Sequence, residues 1–487
     1  MTAPPPHERP TLPPGLVAFV KRDCPTCELV ETVLVELAQR SDLTVFSQDD
    51  PTFPSDLGTR DDTSLETSWH HDIEAVPTLL RIDASGREES RTLGWHRGEW
   101  EALSGISGLG RDLPDQRPGC GSLSVDPARA PELAVRFAGS HQPLASRRIE
   151  LGTQEDPLET AFERGWSDGL PLVPPTEQRV RAMLEGTSRD PAEIVATVAP
   201  DLVACSVEKI AINAVMAGCR PEYLPVVIAA VEAACTDAFN IHGLLATTMP
   251  VAPVLVVNGP IRHALAMNSG INALGQGNRA NSTIGRALQL VIRNVGGGRP
   301  GQVDRATLGS PAKLSFCFPE DEENSPWEPL SVARGLDPGV DAVTLFPGEA
   351  PRNVIDQLSR DPESLARTLA VNLRTVHHPK MLLAFDTMVV IGPEHARVFA
   401  EAGWSRDRLV GRLHELLQIP GEEVVRGAGG IAEGMPAAVA QATLPKFRPD
   451  GILLVHCGGR AGLFSAIIAG WLTGAEGSQP VTREIVS

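Results

Sequence analysis

One stretch decides the fold of the amino-terminal region, GLVAFVKRDCPTC, which spans residues 15–27. Its first six residues are an apolar run, typical of a buried parallel strand. Apolar residues then recur at helical spacing through Leu29, Val33 and Leu37. The sequence therefore predicts a strand over 15–20 that is followed by a helix beginning at the Cys24-Pro25-Thr26-Cys27 motif.

The position of this CxxC motif indicates redox chemistry. Backbone N–H groups and the positive dipole end at the start of a helix favour a thiolate at the first cysteine. Cys24 is the expected nucleophile, and Cys27, one turn later, can attack a mixed disulfide formed on Cys24. The alternative is half of a zinc site, but the sequence holds no second CxxC motif. We therefore predict a redox-active dithiol with no separate cofactor, and leave open whether a metal binds.

Further elements are predicted up to residue 103. They are a strand over 43–46, a polar helix over 64–71, a strand over 76–82, a hairpin turn at 83–86, a returning strand over 91–95 and a closing helix from 99 to 103. This order, with Val76-Pro77-Thr78 opening the third strand, resembles the thioredoxin family over residues 15–108. The resemblance implies that Pro77 is cis and faces the dithiol, which makes Pro77 a candidate catalytic residue.

The segments that flank this domain are predicted to be irregular. Residues 1–14 form a flexible Pro-rich arm, and residues 109–149, rich in Gly, Pro, Ser and Asp, form a linker. Within the linker, Cys120 lies between two glycines, whose backbone freedom would let its thiol approach the CxxC centre or a site in the next domain. A surface turn that merely contains a cysteine is an equal alternative.

Residues 150–487 are predicted to form one large α/β domain with a mixed, mostly buried sheet. Helical patterns alternate with strand candidates, whose ranges are 254–257, 314–318, 343–346, 382–391 and 452–455. In such folds, ligands bind beyond the carboxyl ends of the strands. No repeat of fixed period is found, only a short echo of Gly165-Trp166-Ser167 in Gly403-Trp404-Ser405.

Polar residues after the strand at 254–257 indicate a binding loop. Glycines permit close backbone approach, and a helix predicted to begin near Arg279 would favour a bound carboxylate or phosphate. An ordinary capped loop is the alternative. The candidate substrate-binding residues are Asn258, Asn268, Ser269, Asn278, Arg279, Asn281 and Arg286, together with His242 from an earlier Gly/Thr-rich loop.

Two cysteines of the large domain are candidates for catalysis. Cys457 follows the strand at 452–455 and precedes a helix predicted through Phe464 and Trp471, so it would gain the same advantage as Cys24. Cys317 lies in the strand at 314–318, where burial is the simpler alternative. The four acids at 320–323 are predicted to form a solvated turn. The other three cysteines of this domain are predicted to be core residues, namely Cys205, Cys219 and Cys235.

Long stretches of the large domain are similar to an uncharacterised bacterial family associated with the UGSC-motif (seleno)proteins. They include GQGNRANSTIGRALQL at 275–290 and VHCGGRAG at 455–462. Gly119-Cys120-Gly121-Ser122 is similar to half of the UGSC motif, with Leu123 in place of its second cysteine. This resemblance implies no particular reaction.

Composition excludes several classes of partner. The 487 residues carry 61 acids and 43 bases, a net charge of −18, and only 4% of them are aromatic, so nucleic acid and anionic membranes are unfavourable partners. The sequence holds no secretory signal and no apolar stretch of ~20 residues. Eight cysteines are too few for a disulfide framework. We therefore expect a soluble, cytoplasmic protein.

Together these patterns predict a two-part thiol–disulfide oxidoreductase. The thioredoxin-like domain would supply electrons to the α/β domain, which would act on a small anionic or sulfur-containing substrate, and a cellular dithiol reductase could reset the dithiol. The cysteines that the dithiol would reduce are Cys457, Cys317 or Cys120. One alternative is a lyase or hydrolase in the large domain, with the first domain in substrate delivery or thiol protection. Another is a non-catalytic redox sensor, and the oligomeric state is left open.

Overall fold

A computed structural model describes residues 10–137, 144–149, 151–152, 155–474 and 476–486. The chain divides into two compact units, Met1–Pro143 and Leu144–Ser487. The chain contains both helices and strands, with mixed sheets, which confirms the predicted α/β class. No helix in the described ranges is both long enough and apolar enough to cross a membrane.

The first unit is built around a central sheet. Its strands are β1 (Gly15–Val20), β2 (Leu43–Ser47), β3 (Arg60–Asp61), β4 (Ala75–Val76), β5 (Thr78–Ile82), β6 (Glu88–Leu93), β7 (Trp95–His96), β8 (Gln116–Arg117) and β9 (Cys120–Gly121). Its helices are α1 (Pro25–Leu29), α2 (Glu31–Arg40), α3 (Glu66–His70), α4 (Arg97–Ser104) and α5 (Ala130–Phe137). Among the described residues, five strands form the sheet in the order β3-β2-β1-β5-β6. The apolar run of β1 is buried because β1 lies at the centre, parallel to β2 and antiparallel to β5.

Residues 109–137 belong to the first unit, although the sequence predicts a linker there. β8 pairs with β7, β9 pairs with β4, and α5 packs through Leu133 and Phe137 against Leu65 and Trp69. The rest of the linker includes residues 138–143, which lie outside the described residues, as does the predicted Pro-rich arm through residue 9. The last part of that arm is packed, since Leu12 is buried in the core of the first unit.

The second unit is larger. Its helices are α6 (Pro157–Glu163), α7 (Glu177–Leu184), α8 (Val207–Ala217), α9 (Leu224–Ala234), α10 (Ile241–Ala246), α11 (Ile261–Ala264), α12 (Arg279–Asn294), α13 (Leu330–Ala333), α14 (Pro362–Arg374), α15 (Pro393–Glu401), α16 (Arg406–Leu416) and α17 (Gly421–Val424). Its strands are β10 (Ile194–Val198), β11 (Val203–Ser206), β12 (Ala252–Asn258), β13 (Cys317–Pro319), β14 (Ala342–Gly348), β15 (Arg352–Ile355), β16 (Phe385–Ile391), β17 (Gln418–Pro420), β18 (Thr443–Pro445), β19 (Ile452–His456), β20 (Phe464–Leu472) and β21 (Val481–Glu484).

One predicted helix of this unit is wrong. The residues from Phe464 to Leu472 form strand β20, which pairs with β16 and β15. Both faces of β20 are buried along most of its length, so its apolar residues do not alternate with polar ones. A continuous apolar run of this kind does not distinguish a buried strand from a buried helix.

The main sheet of the second unit consists of two matching halves. β12 is parallel to β13 and antiparallel to β14, just as β16 is parallel to β19 and antiparallel to β20. The strand that follows each half crosses to the other half: β15 pairs with β20, and β21 pairs with β14. The halves also meet where Gly348 of β14 is opposite Gly470 of β20. The short sequence echo does not reveal this repeat.

This sheet curls around an apolar interior. Alternate side chains of β12, β14, β16, β19 and β20 form one buried cluster, which includes Val256, Phe346 and Val455. On the outer side, α8, α9 and α12 cover β12 and β14, whereas α14, α15 and α16 cover β16, β19 and β20. The ends of β13 and β19 also meet, because the Asp321 N–H donates to the His456 carbonyl oxygen over 2.8 Å.

The close contact between the two halves makes the glycine at their junction sensitive to size. A Cβ atom on Gly348 would lie 2.7 Å from Ile468 Cγ2 and 2.9 Å from Val254 Cγ2, so we expect Gly348→Ala to lower the free energy of unfolding by about 1–3 kcal/mol. Gly411 is the matched control, since a Cβ there, on the exposed side of α16, meets nothing within 4 Å. Gly411→Ala should raise stability by about 0.5–1 kcal/mol. Calorimetric melting temperatures that move in the same direction for both variants would contradict this packing.

Candidate functional site

Cys24 and Cys27 form a buried dithiol at the end of the central strand of the first unit. Cys24 is the N-cap of α1, and its Sγ accepts a hydrogen bond from the Cys27 backbone N–H over 3.4 Å. The Cys24 Sγ also lies 3.5 Å from the Val76 carbonyl oxygen, and the Val76–Pro77 peptide bond is cis. Cys24 is 1% exposed and Cys27 is fully buried. The structure thus places the cis Val76–Pro77 bond next to the dithiol.

The two thiols of this pair have opposite acidities. Hydrogen bonding to the Cys27 side chain is the largest influence on the pKa of Cys24 and lowers it. Burial raises this pKa, whereas hydrogen bonding to the Cys120 side chain and to the backbone N–H groups of Cys27 and Thr26 lowers it further. Together they lower the pKa of Cys24 to about 5. Burial, and then the hydrogen bond and negative charge of Cys24, raise the pKa of Cys27. At neutral pH the pair therefore holds a thiolate at Cys24 and a thiol at Cys27.

Cys120 is the third cysteine of this centre. The antiparallel pairing of β4 with β9 sets Cys120 opposite Val76, whose carbonyl group faces Cys24. The Cys120 side chain packs against the buried cluster that contains Cys24 and Cys27, and it is partly exposed. Burial, followed by hydrogen bonding to Cys24 and the charge of Cys24, raises the pKa of Cys120. The sequence predicts that Cys120 approaches either the CxxC centre or a site in the next domain, and in the described structure it lies at the CxxC centre.

The residues around Cys120 form a strap, Pro118–Ser122, that is anchored over the dithiol. Thr26, inside the CxxC motif, donates its hydroxyl to the Pro118 carbonyl oxygen over 2.8 Å. The Lys21 ammonium donates to the Gly121 carbonyl oxygen over 2.9 Å, and Gln48 Nε2 donates to Ser122 Oγ over 2.7 Å. The strap approaches so closely that a Cβ on Gly119 would lie 2.8 Å from the Val76 carbonyl oxygen. Glycine is therefore required before Cys120 for a steric reason.

Three strand ends of the second unit meet at a buried polar cluster. The Asn258 Nδ2 atom donates to Glu320 over 2.7 Å and to Glu322 over 2.9 Å. The Leu330 N–H donates to the same Glu320 carboxylate over 2.7 Å, and the His456 N–H does so over 3.4 Å. Burial raises the pKa of Glu320 and lowers that of His456. This cluster joins the ends of β12, β13 and β19, and its hydrogen bonds lie within the unit.

The two catalytic candidates of the second unit are buried thiols. Cys457 packs in the apolar interior of the sheet with Val455, and Cys317 packs against the helical layer on the outer side. Burial raises the pKa of both far above neutrality. No helix follows Cys457, because the next element is strand β20. The dipole advantage predicted for Cys457 is therefore absent, and neither cysteine supplies a thiolate in this conformation.

The polar loop that follows β12 satisfies most of its hydrogen bonds internally. The Asn281 side chain accepts a hydrogen bond from the Asn268 N–H and donates to the carbonyl oxygens of Asn268 and Ala273. Asn278 is the N-cap of α12. The Ser269 carbonyl accepts from the Gly458 N–H over 2.8 Å. Most of the predicted binding residues thus have a partner that holds the loop in place.

The two arginines of the same loop are also engaged. Arg286 forms a two-point ion pair with Asp168, with both N···O distances at 2.8 Å. Arg279 donates to the Gly218 carbonyl oxygen over 2.9 Å. Their positive charge and hydrogen-bond donors are directed at the protein itself, which favours the alternative of an ordinary capped loop.

A cavity of about 680 Å³ in the second unit has His242 on its wall. Its volume is in the range of small-molecule sites. Charged and polar groups face it from β10, α9, α10, β21 and the connection between α9 and α10, including Glu232, Asp237 and Arg483. Cys235, which the sequence predicts as a core residue, also lines this cavity. Its position at the end of an apolar helix, directly before Thr236-Asp237, is the sequence signal for exposure at this point.

Glu320, like Cys235, lies in a different environment from the one that the sequence predicts. It begins an acidic run predicted as a solvated turn, yet its side chain is fully buried, because it directly follows β13 and faces Asn258.

Within the described part of the chain, no group of three or more His, Cys, Asp or Glu residues is arranged to hold a metal ion. Comparisons of this chain with protein-family models, curated proteins and solved structures find no match.

The acidity of Cys24 can be measured directly. We expect the thiolate absorbance near 240 nm to be present at pH 7 and to disappear as the pH falls through about 5, because the hydrogen bonds to Cys24 hold its pKa there. An ordinary cysteine titrates near pH 8.5. The measurement is the difference spectrum between the wild type and Cys24→Ser as a function of pH. A midpoint of 8 or above would contradict the hydrogen-bonded arrangement of the dithiol.

Proposed function

We propose that this protein is a thiol–disulfide oxidoreductase whose reactive centre is the dithiol Cys24/Cys27 in a thioredoxin-like first unit. The observation that carries the proposal is the asymmetry of the pair. A low-pKa thiolate at Cys24 lies next to a buried thiol at Cys27, whose backbone N–H is 3.4 Å from the Cys24 sulfur. This combination separates an attacking group from a resolving group.

The reaction proceeds by two exchanges of sulfur bonds. The Cys24 thiolate attacks one sulfur of a substrate disulfide, which breaks the S–S bond, releases the first thiol and leaves a mixed disulfide on Cys24. Cys27 then loses its proton and attacks the Cys24 sulfur, which releases the second thiol and forms the Cys24–Cys27 bond. Two electrons pass from the pair to the substrate. A dithiol reductant of the cell resets the pair by the reverse exchange.

We further propose that the second unit binds the small molecule on which the electrons act, in the cavity near His242. Arg483 on its wall provides a cationic group for an anionic part of the substrate, beside the carboxylates of Glu232 and Asp237, and Cys235 provides a thiol. Burial raises the pKa of Cys235 to about 11, so Cys235 is a thiol at neutral pH. Because Cys317 and Cys457 are buried, Cys235 is the better candidate for a cysteine that meets a ligand in this unit.

A lyase or hydrolase reaction in that cavity is the second candidate function. Its support is that the carboxylates of Glu232 and Asp237 and the imidazole of His242 line the cavity, and such groups serve in general acid–base catalysis. The two candidates differ in their need for the dithiol. A reaction of this second kind continues in the full-length Cys24→Ser variant without any reductant, whereas the oxidoreductase reaction stops.

The dithiol reaction itself is testable with a small disulfide. With bis(2-hydroxyethyl) disulfide as substrate and dithiothreitol as the excess reductant, we expect Cys24→Ser to lose at least 100-fold of the protein-dependent rate, because the only low-pKa thiolate of the centre is removed. The double variant Cys27→Ser/Cys120→Ser, which keeps Cys24 as the one thiol of the centre, should accumulate a mixed disulfide detectable by intact mass spectrometry. Cys457→Ala serves as the control and should keep the wild-type rate, since its thiol is buried in the second unit. Equal rates for Cys24→Ser and the control would refute the proposal.

A further inference from the structure

Cys120 occupies a position that the two-cysteine reaction does not use. It is partly exposed, whereas Cys24 is 1% exposed and Cys27 is fully buried. A disulfide substrate in solution therefore meets Cys120 before it meets Cys24. At the same time, Cys120 packs against the buried cluster that contains Cys24 and Cys27, and it lies opposite Val76, whose carbonyl oxygen is 3.5 Å from the Cys24 sulfur.

Four separate contacts hold the strap and therefore fix the position of Cys120. The backbone of β9 pairs with that of β4, Thr26 binds the Pro118 carbonyl, Lys21 binds the Gly121 carbonyl, and the Ser122 N–H donates to the Glu74 carbonyl over 3.0 Å. Thr26 belongs to the CxxC motif itself, so the strap and the dithiol are tied at their closest point. A chance turn that contains a thiol requires none of these anchors.

Resting on the proposed function, we propose that Cys120 is a third redox cysteine, which receives the disulfide substrate at the surface and relays it to the buried Cys24/Cys27 pair. The centre then passes through two internal disulfides in turn, first Cys24–Cys120 and then Cys24–Cys27. The substrate class is a low-molecular-weight disulfide, because only the strap, and not the buried pair, is presented to solvent.

Each step of the relay balances. Cys120 loses its proton and attacks a disulfide RSSR, which breaks the S–S bond and releases one RS⁻ that takes up this proton. The Cys24 thiolate attacks the Cys120 sulfur of the resulting mixed disulfide and displaces the second RS⁻, which forms the Cys24–Cys120 bond. Cys27 loses its proton to this RS⁻ and attacks the Cys24 sulfur, which forms Cys24–Cys27 and displaces Cys120 as a thiolate that takes one proton from water. The net change is the two-electron oxidation of the Cys24/Cys27 pair and the formation of two RSH, with one proton taken from water.

The full-length protein provides variants that separate the relay from the simple dithiol reaction. After exposure to bis(2-hydroxyethyl) disulfide, Cys27→Ser should contain a Cys24–Cys120 bond in peptide mass maps. Formation of the Cys24–Cys27 bond should be at least tenfold slower in Cys120→Ser than in the wild type. The thiolate absorbance at 240 nm in Cys120→Ser reports whether Cys24 is still in its folded environment.

Two glycines that flank Cys120 form a matched pair of controls. A Cβ on Gly119 would lie 2.8 Å from the Val76 carbonyl oxygen, so Gly119→Ala moves the strap and should lower the yield of the Cys24–Cys120 bond when combined with Cys27→Ser. A Cβ on Gly121 meets nothing within 4 Å, so Gly121→Ala in the same background should leave the yield unchanged. Equal yields in the two variants would overturn the role of the strap geometry.

The failure of the relay and the failure of the proposed function have different signatures. If Cys24–Cys27 forms at the wild-type rate in Cys120→Ser and no Cys24–Cys120 bond appears in Cys27→Ser, the relay is overturned and the dithiol reaction stands. If the wild type forms no Cys24–Cys27 bond with the small disulfide, the proposed function is overturned, and the relay with it.

Discussion

The negative charge on the buried sulfur of Cys24 is the constraint on which the first unit depends. A charge that is 1% exposed is unfavourable unless hydrogen-bond donors surround it. Cys27 provides a thiol and a backbone N–H, and Cys120 provides a second thiol. The CxxC turn brings Cys27, whereas the pairing of β9 with β4 brings Cys120 from almost 100 residues further along the chain. The three-cysteine site is thus a product of chain segments that only folding unites.

The second unit also buries a polar group that needs hydrogen-bond donors, here the carboxyl group of Glu320. Its curled sheet closes where the ends of β13 and β19 join, and a buried carboxylate lies at that closure. Glu320 accepts hydrogen bonds from Asn258, Leu330 and His456, so its polar atoms are paired with groups from separate strands and loops. A buried polar network of this kind specifies one arrangement of the strands, since any shift leaves donors unpaired. Cys457, which directly follows β19 at the same closure, is placed by apolar packing.

Prediction from sequence succeeded where local pattern and environment agree. The strand and helices around the CxxC motif follow from the apolar run of β1 and the helical spacing after it. Prediction failed at β20, because a strand buried on both faces loses the alternation that identifies it, and at Glu320, because an acid next to other acids normally faces solvent. The explanation of the Cys24 acidity also changed. The sequence attributed the low pKa of Cys24 to its position at the start of a helix, whereas the largest contribution to the low pKa is hydrogen bonding to the Cys27 side chain.

The sequence by itself determined the elements near the dithiol, the α/β class and the identity of Cys24 as the expected nucleophile, because each depends on residues close together in the chain. Only the tertiary structure decided which other cysteine lies beside the dithiol. It brings Cys120 to the dithiol and buries Cys317 and Cys457 in apolar packing. The exposure and acidity of a thiol depend on neighbours that are distant in sequence, and strand pairing is what selects those neighbours.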